Sequence, residues 1–346
     1  MQNCLYKGLK VLYVSNDYLI ASKGYIFYKY FFANKKWKKY AKVVDPLNSL
    51  FSLFPLTRRL TRAEISRYYK LCNGSELCIG RKGIFRKEVN GEKFIKTFNV
   101  LRGSRPMCLC EAINGDLYFG EYFQNIEKKA VHIYSSTDHG KTWNIVYTFP
   151  EGNINHVHGI YRDPYTQKIW IATGDRDNEC IVGYSEDGFK TLREVFRGNQ
   201  EYRTCFLFFY KDFIVFGTDS QYQKNELKKF DRRSLEITSL QQVQGPIIRG
   251  SQCGDFAIIS TDVEPSEINK DKNAYVWYTK DGLHWEMLFS AKKDCFNHTL
   301  FQFGVFDLPY YSVDYVDKIY ITGKAVKKHD GNTLVFDLNN KYASFK

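Results

Sequence analysis

The sequence has little proline and no long apolar run, and each shortage excludes a class of protein. Only 8 of the 346 residues are proline, so the chain has no proline-rich linker or collagen-like stretch. The longest apolar runs, such as residues 205–210, are far shorter than the roughly 20 residues that a transmembrane helix needs. The first residues lack the apolar stretch and small-residue cleavage site of a signal peptide. We therefore expect neither a membrane-spanning helix nor a cleaved leader.

The cysteines form no disulfide framework. There are 9 of them, an odd number, and no spacing repeats. Cys108 and Cys110 are two residues apart in a strand-like run, so they share one face and cannot form a bridge with each other. Because disulfide frameworks belong to oxidising compartments, we expect a cytoplasmic protein.

Positive charge exceeds negative charge by a wide margin. The chain has 50 Lys and Arg against 38 Asp and Glu, which gives a formal net charge of +12. Such a surplus favours an anionic partner, and an anionic membrane surface is one candidate. The densest cluster, at residues 35–40, alternates like the solvent face of an outer strand, and no nucleic-acid recognition motif accompanies it. We therefore expect no nucleic-acid partner.

Aromatic residues are abundant, and short strand-like runs fill the chain. The 26 Tyr and 27 Phe exclude a disordered protein, because they supply ample apolar surface to bury. The runs alternate apolar and polar residues, as half-buried strands do. Long helical periodicity is nearly absent, and only residues 61–71 resemble a helix.

The strand-like runs repeat with a period of about 49 residues, which is the size of a propeller blade. Polar openings recur near residues 105, 156, 203, 249 and 298, and weaker units extrapolate to Arg59 and Leu12. The sequence thus predicts an all-β propeller of seven four-stranded blades as a single domain over residues 1–346. Leu5 and Tyr6 would complete the last blade, and six blades are the alternative if the first unit is a lid.

Three turns share one pattern, at residues 133–143, 184–192 and 278–285. A strand ends in Ser or Thr, an Asp folds back on the turn, and an apolar residue opens the next strand. Ser-x-Asp-x-Gly-x-Thr-Trp at residues 136–143 resembles the Asp-box, or BNR, repeat of sialidase-like β-propellers at every defining position. That resemblance implies a structural turn between the two outer strands of a blade, away from the active site.

A second resemblance covers most of residues 100–310. It rests on strings at residues 120–123, 156–165, 172–177 and 261–266, which are similar to BNR-repeat glycosidases encoded near bacterial capsule and exopolysaccharide genes. It implies a role in surface-polysaccharide metabolism without specifying a reaction.

Polar residues open the first strand of most repeats and close the second strand. Both ends of such a hairpin lie on one rim, so these residues would converge on one central cup, while the opposite turns have ordinary turn chemistry. The candidate catalytic residues are Glu121, Tyr122, His156, His158 and Asp175. The candidate substrate-binding residues are Arg105, Asp177, Arg203, Asp219, Arg249, Asp262, Glu264 and Gln302.

A cup of this composition suits an acidic sugar or polysaccharide. Arginine binds carboxylates through two parallel hydrogen bonds, and paired carboxyl groups perform glycoside hydrolysis. In sialidases three arginines hold the substrate carboxylate beside a Tyr/Glu pair, and the resemblance would give that role to Arg105, Arg203 and Arg249. We expect a glycoside hydrolase or lyase. A non-catalytic glycan-binding or scaffold propeller is the alternative, and the sequence leaves open whether any bond is broken.

The pair His156 and His158 has three interpretations. The two rings face the same side of a strand, so they could bond to rim carboxylates and stabilise the cup. One of them could be a general base, or both could bind a metal with Asp175 or Asp177. All three stay open at this point, and the sequence assigns neither a metal nor a cofactor.

Overall fold

The computed structural model describes residues 2–339, and their side chains from residue 5 onward. The chain forms an all-β propeller of seven four-stranded antiparallel blades. The strands of the first two blades, with β1 before them, are β1 (Gln2–Tyr6), β2 (Lys10–Ser15), β3 (Tyr18–Lys23), β4 (Ile26–Phe31), β5 (Lys36–Val43), β6 (Arg67–Lys70), β7 (Glu76–Gly80), β8 (Gly83–Lys87) and β9 (Lys93–Asn99).

Blades 3 to 6 each use four consecutive strands. Blades 3 and 4 contain β10 (Cys110–Glu111), β11 (Leu117–Gly120), β12 (Val131–Ser136), β13 (Asn144–Phe149), β14 (His156–Arg162), β15 (Ile169–Gly174), β16 (Ile181–Ser185) and β17 (Arg193–Arg197). Blades 5 and 6 contain β18 (Thr204–Phe209), β19 (Phe213–Thr218), β20 (Asn225–Asp231), β21 (Ile237–Val243), β22 (Ile247–Cys253), β23 (Phe256–Thr261), β24 (Asn273–Thr279) and β25 (Trp285–Lys292).

The last blade is completed by the N-terminal strand. Its own strands follow β25 and are β26 (Val305–Asp307), β28 (Lys318–Lys324) and β29 (Thr333–Asp337), with β27 (Tyr310–Ser312) between the first two in sequence. Strand β1 pairs with β29 and supplies the fourth strand, while β27 pairs in parallel with β2 of blade 1. The predicted closure by Leu5 and Tyr6 is confirmed, because these residues face Leu334 and Thr333.

Buried apolar clusters lie between neighbouring blades all around the ring. Blades 3 and 4, for example, bury Ile133 and Ile160 in one cluster, and blades 4 and 5 bury Trp170 and Phe216 in another. The second strands are buried on both faces, so β15 and β23 read as nearly continuous apolar runs. The fourth strands, such as β17, have one face in solvent. Each blade is therefore stabilised mainly by packing on its two neighbours.

Short helices interrupt the repeat at two places, and both interruptions correct the sequence interpretation. Helices α1 (Pro46–Phe51) and α2 (Pro55–Thr61) are inserted between blades 1 and 2, and α3 (His298–Phe301) precedes blade 7. Residues 61–71, the only stretch that resembles a helix in sequence, do not form one, because α2 ends at Thr61 and β6 begins at Arg67. The insertion moves the inner strand of blade 2 away from the expected Arg59.

Blade 7 also begins later than the repeat predicts. The side chain of Asn297 accepts hydrogen bonds from the backbone of Thr299 and Leu300, which starts a helical turn instead of a strand. The inner strand of this blade therefore begins at Val305.

The three related turns connect the third and fourth strands of blades 3, 4 and 6, at the outer part of each blade. Asp138 Oδ1 accepts from Ser136 Oγ at 2.7 Å and from the backbone of Thr142 at 2.9 Å, and its Oδ2 accepts from Thr142 Oγ1 at 2.6 Å. Asp187 and Asp281 make equivalent contacts in their own turns. These carboxylates thus organise backbone and do not face the propeller axis.

The described cysteines, eight in number, are free thiols. Across the described residues, the structure contains no helix with the length and apolar character needed to cross a membrane.

Candidate functional site at the propeller axis

A cavity of about 230 Å³ lies at the end of the axis at which the inner strands begin. Blades 2, 3, 5, 6 and 7 each contribute the opening of a first strand or the residues that close a second strand. We call this cavity the cup. The nominated residues that line it are Arg105, Tyr122, Asp219, Arg249, Asp262 and Gln302.

Buried charged side chains border the cup on the side of blades 1, 2 and 7. Lys324 Nζ lies 2.6 Å from Glu64 Oε1 and 2.8 Å from Asp307 Oδ2. Arg249 Nε lies 2.8 Å from Asp307 Oδ1, and Arg105 lies 3.2 Å from Glu64. The two nominated arginines are therefore already paired with carboxylates, and they act as part of a charge network.

This network has more positive than negative groups. Lys10 joins it through an ion pair of 2.6 Å with Asp307, which gives four cations against two carboxylates. Burial raises the pKa of Asp307, but Lys10, Lys324 and Arg249 outweigh burial and hold it well below the usual range. Burial raises the pKa of the neighbouring Asp262 well above its ordinary value, which weakens this carboxyl as a balancing negative charge. The wall of the cup thus favours an anion.

A second cluster lies beside the cup, where blade 4 meets blade 5. His156 Nε2 and His158 Nε2 are 3.0 Å apart, and Asp175 Oδ1 lies 3.5 and 3.4 Å from them. Arg203 approaches the same carboxylate oxygen at 2.9 Å. Both imidazoles are buried, whereas the side chain of Asp175 is 32% exposed. The sequence expectation that both rings face one side of the strand is confirmed.

Two residues connect this cluster to the cup. The ring centroid of Tyr122 lies 4.2 Å from that of His156, and Tyr122 lines the cup. Asp219 also lines the cup and lies 3.6 Å from Arg203 Nε. Burial raises the pKa of Asp175, but the imidazoles of His156 and His158 beside it outweigh burial and hold the pKa of this carboxyl well below the ordinary range.

Glu264 is a carboxyl group with unusual electrostatics. Burial first, and the charge of Asp219 second, raise its pKa to about 7. Its Oε1 accepts a hydrogen bond from the amide of Gln221. A carboxyl group with a pKa near 7 has the properties of an acid/base catalyst.

Two nominated residues lie outside this arrangement. Glu121 accepts a bidentate interaction from Arg102 and a hydrogen bond of 2.9 Å from the backbone of His132, so it holds strands of blade 3 together. Asp177 is exposed and begins a short 3-10 helix, Asp177–Glu179. Polar residues at the end of a strand satisfy local backbone as well as a central cavity, and sequence alone does not separate the two.

Arg67 also lines the cup, and sequence reasoning did not nominate it. It opens the inner strand of blade 2, at a position inside the stretch that resembles a helix. Within the described residues, its guanidinium has no hydrogen bond or ion pair, and it lies 5.7 Å from the ring centroid of Phe206. Ser66 and Arg67 also line a second cavity of about 310 Å³ farther along the axis, which has Tyr69 and Tyr161 in its wall. Arg67 thus lies where the two cavities meet.

Comparisons with known proteins identify the fold. No family model matches the chain, and no curated protein matches it in sequence. A chain of the crystal structure of the mitotic checkpoint complex is similar with a TM-score of 0.57 and 10% identity, over 98% of this chain and 94% of that one. The extracellular domain of a hybrid two-component system from B. thetaiotaomicron is similar with a TM-score of 0.57 and 9% identity, over 99% of this chain and 42% of that one.

These likenesses show a β-propeller fold, in agreement with the seven blades of the structure. At such low identity they do not transfer an activity, because unrelated functions use the same fold.

Proposed function

We propose that the cup binds an acidic sugar or a glycan that carries one, and that it serves surface-polysaccharide metabolism. The observation that carries this proposal is Arg67, a guanidinium at the axis without a carboxylate partner among the described residues. A half-buried guanidinium is costly to leave without an acceptor, and a ligand carboxylate supplies two. The surplus of cations in the wall of the cup also favours an anionic ligand.

The remaining lining residues suit the hydroxyl groups of a sugar. Asp219 accepts hydrogen bonds, and Asp262 both donates and accepts one while it is protonated. Tyr122 offers a ring face together with a hydroxyl group. One charged anchor surrounded by such groups is typical of a pocket that fixes the orientation of a polar ligand.

If a bond is broken beside the cup, Glu264 is the candidate proton donor, because Asp219, whose charge raises its pKa, lines the cup. Its pKa near 7 keeps a substantial protonated fraction at neutral pH, whereas Asp175 is ionised. This division of roles between two carboxyl groups is the one that glycoside hydrolysis requires. Glu121, which the sequence favoured, is less suited because Arg102 and the backbone of His132 occupy its oxygens.

Arg67→Ala tests the proposal. We would titrate glucuronate, galacturonate and N-acetylneuraminate into the protein by calorimetry, with glucose as the uncharged probe. The expected result is binding of an acidic sugar that Arg67→Ala weakens by about 1.5–3 kcal/mol, while Arg67→Lys retains part of it. Arg233→Ala removes an exposed arginine from an outer turn and is the matched control. Equal affinity for glucose, or full affinity in Arg67→Ala, would contradict the proposal.

A second candidate function is attachment to an anionic membrane surface. The segment that contains α1 and α2 exposes an unusual set of large apolar side chains, each at least 45% exposed: Leu47, Leu50, Leu53, Phe54, Leu56 and Leu60. Arg62 follows α2 directly and lines the cup, so this apolar segment lies at the rim of the cup. Exposed apolar residues next to basic ones are typical of proteins that insert side chains into the headgroup region. With the free thiols, this supports a cytoplasmic protein that works at the inner face of a membrane.

A further inference from the structure

Three potential metal ligands converge beside the cup. His156 Nε2, His158 Nε2 and Asp175 Oδ1 form a triangle with edges of 3.0, 3.4 and 3.5 Å. Ligands of a tetrahedral ion with bonds of 2.0–2.1 Å lie about 3.4 Å apart, so the triangle has the dimensions of one face of such a site.

Hydrogen bonds to backbone carbonyls fix the orientation of both rings. His156 Nδ1 lies 2.9 Å from the carbonyl oxygen of Phe123, and His158 Nδ1 lies 3.1 Å from that of Thr204. A carbonyl oxygen only accepts, so each Nδ1 carries the hydrogen, and each neutral ring presents its lone pair at Nε2. The amide of Asn155 also lies 3.3 Å from His156 Nδ1, but its shorter contact, 2.7 Å, is with Asp175 Oδ2.

The consequence is a group of three acceptors that face one another. Two imidazole lone pairs at 3.0 Å repel each other, and the carboxylate oxygen adds negative charge to the same point. Arg203 neutralises part of that charge, but it reaches Asp175 and not the two imidazole nitrogens. Such a triangle requires either a cation at its centre or a proton shared between the rings.

We propose that His156, His158 and Asp175 bind a first-row divalent transition-metal ion, with Zn²⁺ as the simplest occupant. Two imidazoles and one carboxylate are a ligand set that suits such ions and leaves coordination positions open for water or a substrate oxygen. It does not suit Mg²⁺ or Ca²⁺, which prefer oxygen ligands. Metal binding here does not depend on whether the cup takes a sugar.

Hydrogen bonds and packing around the three proposed ligands hold them in position, as in known metal centres. Metal-binding histidines almost always donate their other ring hydrogen to a carbonyl or carboxylate, as both rings do here. Asn155 and Arg203 orient the carboxylate from its two oxygens. Gly174 is required for the close packing, since a Cβ atom there would lie 2.4 Å from His158 Cε1. The ligands are therefore positioned before any ion binds.

Calorimetric titration of the chelator-treated, full-length protein with ZnCl₂ tests the proposal. We expect one equivalent to bind to the wild type and the affinity to fall by about 100-fold or more in His158→Gln and in Asp175→Asn. His284→Ala removes an exposed histidine of an outer turn and should leave the affinity unchanged. MgCl₂ should give no binding. Absence of Zn²⁺ binding would mean that the two rings share a proton, and unchanged affinity in His158→Gln would mean that the ion binds elsewhere. Either result would overturn the proposal.

His158 is buried, so its variant could fail to fold. X-ray absorption of the zinc-loaded wild type then decides without any substitution. We expect two imidazole nitrogens and at least one oxygen at about 2.0–2.1 Å from the ion. A spectrum with one imidazole or none, or with sulfur in the coordination shell, would place the ion elsewhere and refute the proposed ligand set.

Discussion

At the scale of one residue, the raised pKa of Glu264 makes the free energy of unfolding depend on pH. Its pKa in the folded protein is raised to about 7, because the group is buried and Asp219 lies near it. The folded state therefore binds this proton more tightly than the unfolded state does, and the free energy of unfolding falls as pH rises from about 4.5 to 7.

We predict that Glu264→Gln removes this loss. Relative to the wild type, the variant should gain up to about 3 kcal/mol in free energy of unfolding between pH 5 and pH 8, since it carries no proton to lose. Urea denaturation at the two pH values measures the difference, with the exposed Glu151→Gln as control. A constant difference between wild type and Glu264→Gln at both pH values would show that the folded-state pKa is not raised.

At the same scale, the sequence predicted which polar residues open and close the inner hairpins but not their partners. Lys324 contacts Glu64, which is far away in sequence, and Arg105 contacts Glu64 as well. Such ion pairs form only when the ring of blades closes, so the local sequence pattern does not predict them. Arg67 was missed for a different reason: its surroundings have helical spacing, and the packing of blade 2 overrides that preference.

At the scale of single elements, the aspartate turns were predictable because their chemistry is local. Every hydrogen bond of Asp138 joins it to a residue within four positions, so the spacing alone defines the turn. The helical insertion was not predictable in the same way. Its apolar residues are exposed, and exposure of Leu53 or Phe54 contradicts the rule that such residues pack inward.

We predict that Asp138→Ala lowers the free energy of unfolding by about 1–2 kcal/mol, because the turn loses its shared acceptor. Affinity of the cup for the proposed acidic sugar should not change, since this turn joins outer strands. Chemical denaturation and a binding titration measure the two effects. Asp212→Ala is the matched control, because its exposed side chain makes no hydrogen bond in the described structure. Loss of binding at an unchanged free energy of unfolding would place the turn near the site.

At the scale of the whole molecule, the repeat of about 49 residues was sufficient to predict seven blades and their closure by the N-terminal strand. A propeller repeats one supersecondary unit, so the same sequence pattern recurs in every blade and indicates both the size and the number of the blades. Each connection between two blades, in contrast, occurs only once in the sequence. The offset of blade 2 by α1 and α2, and that of blade 7 by α3, therefore had no repeated signal.

The last prediction concerns how the whole molecule meets a membrane. We predict that the net charge of +12 draws the protein to anionic lipid and that the apolar segment at the rim of the cup then inserts. We expect the protein to sediment with phosphatidylglycerol vesicles but weakly with phosphatidylcholine vesicles, and 500 mM salt to reduce the binding.

The double variant Leu53→Ser/Phe54→Ser should weaken vesicle binding by about 10-fold or more, because two large apolar side chains no longer leave water. The control Ile113→Ser/Tyr165→Ser removes the same number of exposed apolar residues from turns between first and second strands, at the opposite rim. If the control variant loses as much binding as Leu53→Ser/Phe54→Ser, contact is non-specific. If neither variant changes the binding, charge alone holds the protein to the vesicle, and the apolar segment has no part in membrane attachment.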